Sequence, residues 1–427
     1  MLDAMKLLSL LLLSTCPAMA QEVTFICTTN QGTININDYL GTNNVLTIPS
    51  TFHGLPVVSI EYTDWNYYTF STFRHNDLIE VNIPDTVTNI GYCSFVSGVA
   101  WESRNLAAIN VDPANPRFSS VDGILFNKDK TALYIFPESK KLQTYTIPDS
   151  VMRIDRYAFA NCTNLTNVIF GANVATIESG AFGGCINLTH LQIPKSVTCL
   201  NPGALNDSIA ITVDALNPAY CISNDVLFDK NQTMLVRLLK GMTGNNYSVP
   251  KSVTKIEAYA FSRRQSLTNI EIGPQVTQIG NGAFRQCEKL VNINLPDKMT
   301  FIGNYMFESC TSLTEIRIPD SVTCIGTNAF AQCFSLTNVV IGDHVTNIEQ
   351  GAFCDCVRLK HVTLGRNVTS IGSFAFNNCG LTNILIPDRV VSIGEKTFAR
   401  CEALTNVTIP KTVTNLGRNA FPPKSLR

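Results

Sequence analysis

Cysteine is the residue type whose number and spacing could most readily support redox or metal chemistry in this sequence. The chain of 427 residues contains 15 cysteines. In an exported protein such a set could form disulfides, but one cysteine per repeat at a fixed position is typical of a buried ladder of small side chains. We therefore interpret the repeated cysteines as packed thiols and leave an occasional bridge open. Eight of them follow a phenylalanine by three residues: Cys162, Cys185, Cys287, Cys310, Cys333, Cys356, Cys379 and Cys401.

Motifs for metal binding and catalysis are missing from the sequence. There is no Cys-x-x-Cys pair, and Cys354-Asp355-Cys356 stands alone, so a zinc site is not predicted. No Gly-x-Ser-x-Gly elbow and no phosphate-cradling glycine-rich loop occurs. We predict no catalytic residue, no metal and no cofactor, and we expect that the protein is not an enzyme. The five histidines form no His-Glu-x-x-His arrangement; they are His53, His75, His190, His344 and His361.

Charge and composition exclude several classes of partner and of fold. Thirty-two Lys and Arg balance 33 Asp and Glu, for a formal net charge of -1. Nucleic acid and anionic membranes attract a surplus of Lys and Arg, so neither is expected as a partner. A hydrophobic content of 45% argues against disorder. Charged residues make up only 15%, against about 25% in an ordinary domain, so uncharged polar surfaces are expected.

The N-terminus is typical of a secretory signal peptide. Lys6 precedes the apolar run 7–13, and Ala18-Met19-Ala20 supplies a small-x-small cleavage site before Gln21. The run is too short to span a bilayer, and no later stretch is long and apolar enough to do so. We therefore predict a secreted or cell-surface protein with residues 1–20 removed. Lipidation at Cys16 is the less favoured alternative, because threonine is a poor residue before a lipidated cysteine.

An internal repeat determines the predicted fold. The unit Leu-Thr-x-Ile/Val-x-Ile, Val-Thr-x-Ile-Gly, Ala-Phe-x-x-Cys alternates apolar and polar residues in two short strands separated by Pro or Gly corners. One unit cannot bury its own apolar face, but stacked copies bury one another. We predict a mainly β solenoid of 23-residue units with short turns or helical corners, whose strands pair in parallel about 4.8 Å apart. The repeated phenylalanines are Phe159, Phe182, Phe261, Phe284, Phe307, Phe330, Phe353, Phe376, Phe398 and Phe421.

Two longer repeats interrupt this period. The run from Val111 to Phe118 matches that from Val213 to Tyr220, and the match continues 102 residues apart through Lys128 and Lys230. The pattern strand, turn, strand predicts a hairpin in each copy. A binding protrusion is one interpretation. The favoured one is an inherited long repeat that packs like the others.

The repeat unit resembles the BspA-like, or Treponema pallidum-type, subgroup of leucine-rich repeat proteins. The resemblance rests on runs such as Leu313 to Pro319, on the Val-Thr-x-Ile-Gly and Ala-Phe-x-x-Cys segments and on the long repeats. It implies an extracellular or surface-associated protein of an adhesion-linked family, and it carries over no catalytic residue. We expect a signal peptide at 1–20, an N-terminal β cap at 21–60, the solenoid at 61–421 and a tail at 422–427.

The outward face of the Leu-x-x-Ile-x-Ile strands is the candidate binding surface. It forms a mostly uncharged polar strip, which a repeat protein commonly uses for a partner and which equally suits a merely soluble sheet face. We predict a monomeric, non-catalytic binding or adhesion module for an extracellular protein or glycan ligand; a self-associating structural surface or matrix component is the alternative. The predicted ligand-binding residues are Asn269, Glu271, Asn292, Asn294, Glu315, Arg317, Asn338, Val340, His361, Thr363 and Asn383.

Overall fold

The protein is described by a computed structural model that covers residues 25–61, 78–91, 94–95, 105–205, 209–240, 244–405 and 407–423. The predicted signal peptide and Cys16 lie outside these residues. Every regular element within them is a β-strand, and they include no apolar helix of the length needed to cross a bilayer. The chain divides into two compact units, residues 1–219 and residues 220–427.

The first unit contains eighteen strands in the part of it that the structure describes. They are β1 (Phe25–Asn30), β2 (Thr33–Tyr39), β3 (Val45–Thr47), β4 (Thr51–Phe52), β5 (Leu55–Ile60), β6 (Glu80–Ile83), β7 (Asn89–Ile90), β8 (Ala108–Val111), β9 (Phe118–Val121), β10 (Ile124–Asn127), β11 (Ala132–Ile135), β12 (Thr144–Thr146), β13 (Arg153–Ile154), β14 (Asn167–Ile169), β15 (Thr176–Ile177), β16 (His190–Ile193), β17 (Cys199–Leu200) and β18 (Ala210–Val213).

The second unit contains seventeen strands among its described residues. They are β19 (Tyr220–Ser223), β20 (Val226–Asp229), β21 (Met234–Leu238), β22 (Asn246–Ser248), β23 (Lys255–Ile256), β24 (Asn269–Glu271), β25 (Gln278–Ile279), β26 (Asn292–Ile293), β27 (Phe301–Ile302), β28 (Glu315–Arg317), β29 (Cys324–Ile325), β30 (Asn338–Val340), β31 (Asn347–Ile348), β32 (His361–Thr363), β33 (Ser370–Ile371), β34 (Ser392–Ile393) and β35 (Asn415–Leu416).

Each unit is a β-solenoid, as the repeat predicts. Strands from the Leu-x-x-Ile-x-Ile segments pair in parallel as β12-β14 and β16-β18 in the first unit and as β22-β24-β26 and β28-β30-β32 in the second. Strands from the Val-Thr-x-Ile-Gly segments form a second series, which runs from β27 through β29, β31, β33 and β34 to β35. The shift between partners is one repeat, so equivalent residues such as Ile325 and Ile348 lie side by side.

The core of the second unit is built around a continuous stack of phenylalanine rings. Neighbouring rings from Phe261 to Phe421 have centroids 5.0–5.4 Å apart and planes within 17° of parallel. This separation matches the offset stacking that aromatic pairs prefer. The backbone beside the rings forms a third ladder between coils, in which the N–H of Phe330 donates to the carbonyl of Ala352 at 2.7 Å. The stack therefore fixes both the spacing and the register of the coils.

The corners around each phenylalanine are turns rather than helices. Residues two before and two after the ring adopt positive φ, as Asn328 (52°) and Gln332 (62°) do around Phe330. A left-handed residue breaks the repeating dihedral angles of a helix, so two of them within five residues confine the segment to tight turns. Of the two predicted alternatives, turns or helical corners, the structure has the turns.

Both long repeats carry the predicted hairpins. In the first unit β10 pairs antiparallel with β9 and β11, and in the second unit β20 pairs antiparallel with β19 and β21. The Asn of the Asn-Pro motif anchors the first hairpin to the preceding coil. The fully buried Asn115 donates to the carbonyls of Pro84 (2.7 Å) and Val87 (2.9 Å) and accepts from the backbone N–H groups of Arg117 and Phe118.

The N-terminal strands extend this architecture in a different pattern. β1 pairs antiparallel with β2, and β2 pairs in parallel with β5. The rings of Phe25 and Tyr39 lie 5.7 Å apart, and Phe52 packs edge-on against Phe25. The aromatic residues therefore close one end of the apolar core of residues 25–135. The boundaries predicted for the cap, the solenoid and the tail stay predictions.

Candidate ligand-binding face

The strand face is positioned by the alternation within each short strand. Ile316 of β28 is buried at 5% exposure between Leu313 and Ile318, which are also buried. Glu315 and Arg317 on either side of Ile316 must then point away from the core. All eleven residues predicted for the site are exposed.

The structure brings these residues into rows. Asn292 lies beside Asn269 in the sheet β22-β24-β26, and Asn269 lies beside Asn246. In the sheet β28-β30-β32 one row is Glu315, Asn338 and His361, and the other is Arg317, Val340 and Thr363. Asn294 follows the end of β26, and Asn383 lies outside the described strands, so strand pairing does not align these two in the rows.

Side chains in the first of these sheets bond to one another. Nδ2 of Asn269 donates to Oδ1 of Asn246 at 2.8 Å, and the hydroxyl of Ser248 donates to Glu271 at 2.8 Å. These contacts cross from one coil to the next and hold adjacent coils together. Asn246 and Ser248 were not among the residues predicted for the face, because β22 belongs to a long repeat and lacks the Leu-Thr-x-Ile motif. A period-two alternation in Asn246-Tyr247-Ser248 was the available signal.

The second sheet offers its polar groups to solvent. Within the described part of the chain, Glu315, Arg317, Asn338, His361 and Thr363 make no side-chain hydrogen bond and no ion pair. Together with Val340 we call these six residues the open face. It combines one carboxylate, one guanidinium, an amide, an imidazole and a hydroxyl on one face of three paired strands. Such a surface can donate and accept hydrogen bonds toward a partner without first breaking bonds within the protein.

Large apolar side chains are also exposed on the open face and in the repeats that form it or follow it. Val340 is 48% exposed and Leu385 is 82% exposed. Phe334 and Val357, at 43% and 47% exposure, lie in the turns that precede β30 and β32, one repeat apart. Sequence reasoning missed Phe334 and Val357. The available signal was a large apolar residue at a position that Thr311 and Glu288 fill in the preceding repeats.

The ladder cysteines are buried, and none of them is joined by a disulfide to another described residue. All eight ladder cysteines are free thiols, which agrees with the interpretation as packed thiols. Burial raises the pKa of the Cys310, Cys333 and Cys379 thiols well above the ordinary value near 9.0. A thiol that stays protonated is a poor nucleophile and a poor metal ligand. The described residues contain no group of three or more His, Cys, Asp or Glu side chains suited to a metal ion.

Stacked parallel coils that repeat Leu, Ile and Phe at fixed positions define a leucine-rich repeat protein. The family model for the BspA type Leucine rich repeat region, in six copies, matches residues 30–107, 129–229, 240–357 and 323–427. The chain belongs to this BspA-type leucine-rich repeat family, as the resemblance predicts.

Solved structures of bacterial proteins share the fold. The chain is similar to a leucine rich cell surface protein from Faecalibacterium prausnitzii, with 26% identity, a TM-score of 0.51 and coverage of 82% of this chain and 95% of that one. It is also similar in fold to a leucine-rich repeat protein from Eubacterium ventriosum, with 21% identity, a TM-score of 0.52 and coverage of 93% and 92%. No curated protein matches the chain.

Proposed function

We propose that the protein is a secreted or cell-surface, non-catalytic binding module that takes an extracellular protein or glycan on its open face. The observation that carries the proposal is that five polar side chains of the open face lie in register, exposed and without partners among the described residues. Two further observations support it. The leader sequence is typical of export, and the Faecalibacterium relative is described as a cell surface protein.

The chemistry of the open face favours a partner with mixed polarity. Glu315 and Arg317 carry opposite charges two residues apart on β28, while Val340 on β30 and Phe334 in the turn before β30 expose apolar side chains. A partner with paired charges around an apolar centre would bury the apolar side chains and satisfy the charges at the rim. Arginine and aromatic residues also contribute most of the binding energy in known interfaces.

The test is binding of the purified full chain to arrays of extracellular matrix proteins and glycans. For a ligand found there, Arg317→Glu should weaken binding at least about tenfold, because it replaces an attraction by a repulsion. Arg389→Glu is the matched control, since Arg389 is exposed in a turn away from the open face. Absence of any ligand, or equal losses in both variants, would refute the proposal.

Self-association is the competing function, and solution scattering separates the two. A binding module should keep the same mass and radius of gyration as the protein concentration rises. A structural component that assembles through its ends or edges should grow in mass, and Arg317→Glu should leave that growth unchanged.

A further inference from the structure

A cavity of about 540 Å³ lies beside the first hairpin. Its volume falls within the range of about 300–1,000 Å³ that is typical of small-ligand sites. Its walls come from the end of β7, from β9, β10 and β11 of the hairpin and from β13 with the residues that follow it. All of these elements belong to the first compact unit.

The hairpin itself creates the cavity. β7 is joined to β5, and β10 is joined to β9 and β11, but no described strand joins β7 to the hairpin. The parallel series of short strands that joins β17, β15, β13 and β11 is therefore not continued to β7. A cleft is the result, because the hairpin occupies the outer edge of the sheet without continuing it.

The floor of the cavity is apolar and its rim is cationic. Phe118, Leu125 and Ile135 are buried at the floor, and the half-buried Tyr134 stands edge-on to Phe118 with ring centroids 5.7 Å apart. Four exposed basic residues line the rim, and we call them the cationic rim: Arg117, Lys128, Arg153 and Arg156.

Two of the acidic residues at the cavity already have donors within the protein. The buried Asp155 accepts from the guanidinium of Arg153 at 3.1 Å and from the backbone N–H of Arg156 at 2.8 Å. Glu61 accepts from Nδ2 of Asn89 at 2.9 Å. Asp129 is the third acidic residue, and it lies exposed at the rim. Four cationic side chains and three carboxylates thus line the cavity, and two of the carboxylates, Asp155 and Glu61, already accept hydrogen bonds within the protein.

The cationic rim keeps donors for a ligand. Arg117 forms no ion pair with any described residue. The ammonium group of Lys128 donates one bond to the carbonyl of Pro113 at 2.8 Å, which leaves two of its three N–H groups. Asn115 holds the backbone of Arg117 and Phe118 in place, so the rim and the floor are fixed by the same buried side chain.

The duplicated sequence of the second long repeat keeps a basic residue at two of the four rim positions, with Lys230 for Lys128 and Lys255 for Arg153, and lacks the other groups. At an offset of 102 residues, Ala219 stands for Arg117, Val236 for Tyr134 and Ala258 for Arg156. Because the two repeats preserve the hairpin while only the first carries this set of side chains, the cationic rim is not needed to form a hairpin.

We propose that the first-hairpin cavity binds an acidic saccharide, with the sugar carboxylate at the cationic rim and an apolar ring face toward Tyr134. A carboxylated sugar combines the two features that the cavity presents, since guanidinium groups bind carboxylates with charge-assisted hydrogen bonds and sugar C–H faces pack on aromatic rings. This site is separate from the open face and does not depend on it.

The experiment measures binding of defined oligosaccharides to the full chain by titration calorimetry. The acidic probes are a hyaluronan tetrasaccharide, tetragalacturonate and sialyllactose, and the neutral probes are chitotetraose and lactose. At least one acidic probe should bind, and it should bind at least about tenfold more tightly than every neutral probe. Failure of all three acidic probes to bind, or equal binding of a neutral probe, would overturn the proposal.

Matched variants locate the site. Arg117→Ala, alone and with Arg153→Ala, should raise the dissociation constant of the acidic probe by at least about tenfold. The melting temperature of the single variant should stay unchanged. Lys230→Ala with Lys255→Ala alters the corresponding basic residues of the second repeat and should leave binding intact, as should Arg317→Glu on the open face. Equal losses in these controls would contradict the assignment to this cavity without bearing on the open face.

Discussion

The thiol of Cys333 lies 3.2 Å from the carbonyl oxygen of Phe307, one coil earlier. The same carbonyl also accepts the backbone N–H of Cys310 at 3.0 Å. Equivalent thiol contacts of 2.9–3.2 Å recur from Cys185 to Cys401. From Cys185 to Cys379, each ladder thiol therefore gives a phenylalanine carbonyl a donor in addition to a backbone N–H group. A small side chain with a weak S–H donor suits this position.

Replacing one ladder thiol should destabilise the solenoid measurably. Cys333→Ala removes a buried sulfur and the donor to Phe307, and we expect the free energy of unfolding to fall by about 1–2 kcal/mol. The urea midpoint measures the change. Cys199→Ala is the control, because Cys199 is exposed. This substitution should change the free energy of unfolding by at most about 0.5 kcal/mol. Equal shifts in the two variants would contradict the role of the thiol contact.

Stability should decline at alkaline pH because of the buried thiols. Burial raises the pKa of Cys354 to about 12 and that of Cys401 to about 11, while the unfolded chain titrates near the ordinary value of 9.0. Between these values the unfolded state binds fewer protons than the folded one, so the free energy of unfolding falls as pH rises. Below about pH 8 the thiols should add no pH dependence.

Urea midpoints across the alkaline range measure this decline. Cys401→Ser removes one of the contributing thiols and should make the fall shallower. The same fall in the variant and in the parent chain would mean that ladder thiols are not its source.

A glycine opposite a tyrosine ring should not tolerate a methyl group. Gly282 has φ of +61°, and an added Cβ would lie 2.5 Å from Cε1 of Tyr259 in the preceding coil. Gly282→Ala should lower the free energy of unfolding by about 1–3 kcal/mol, since it combines backbone strain with overpacking. Unfolding of Gly282→Ala, Tyr259→Ala and the double variant measures the steric part as a coupling energy.

Gly244→Ala is the control for this substitution. Its added Cβ would meet only the carbonyl oxygen of Asn246, at 3.6 Å. We expect Gly244→Ala to change the free energy of unfolding by at most about 0.5 kcal/mol. A coupling energy of zero between positions 259 and 282 would show that the ring does not restrict the glycine.

The Asn-Pro motif should be essential for the first hairpin. Asn115→Ala leaves two carbonyls and two N–H groups of the buried backbone without their partner, and we expect a loss of about 2–4 kcal/mol in the free energy of unfolding. Asn164→Ala removes one exposed bond to Lys140 and should change stability by at most about 0.5 kcal/mol. Hydrogen exchange of residues 115–127 should show the hairpin loosening in the first variant alone.

The sequence by itself determined the solenoid, its two strand series and the phenylalanine stack. A 23-residue period fixes which residues are neighbours, because residue i must lie beside residue i+23 once coils stack. Ile325 and Ile348, or Phe330 and Phe353, could therefore be paired without coordinates. The duplicated blocks likewise predicted two hairpins, since their strand and turn patterns are local.

The tertiary structure alone decided how the corners turn, which polar residues pair and where a cavity opens. Tyr305, Ser309 and Gln332 adopt positive φ. Their residue types do not predict this conformation, because packing between coils imposes it. Asn269 bonds to Asn246, whereas Asn338 has no side-chain hydrogen bond to any described residue, although both fill the same strand position. Such bonds depend on which side chain the adjacent coil places beside the asparagine. The first-hairpin cavity opens where no described strand joins β7 to the sheet of the hairpin, and a missing contact between distant segments leaves no periodic signal in the chain.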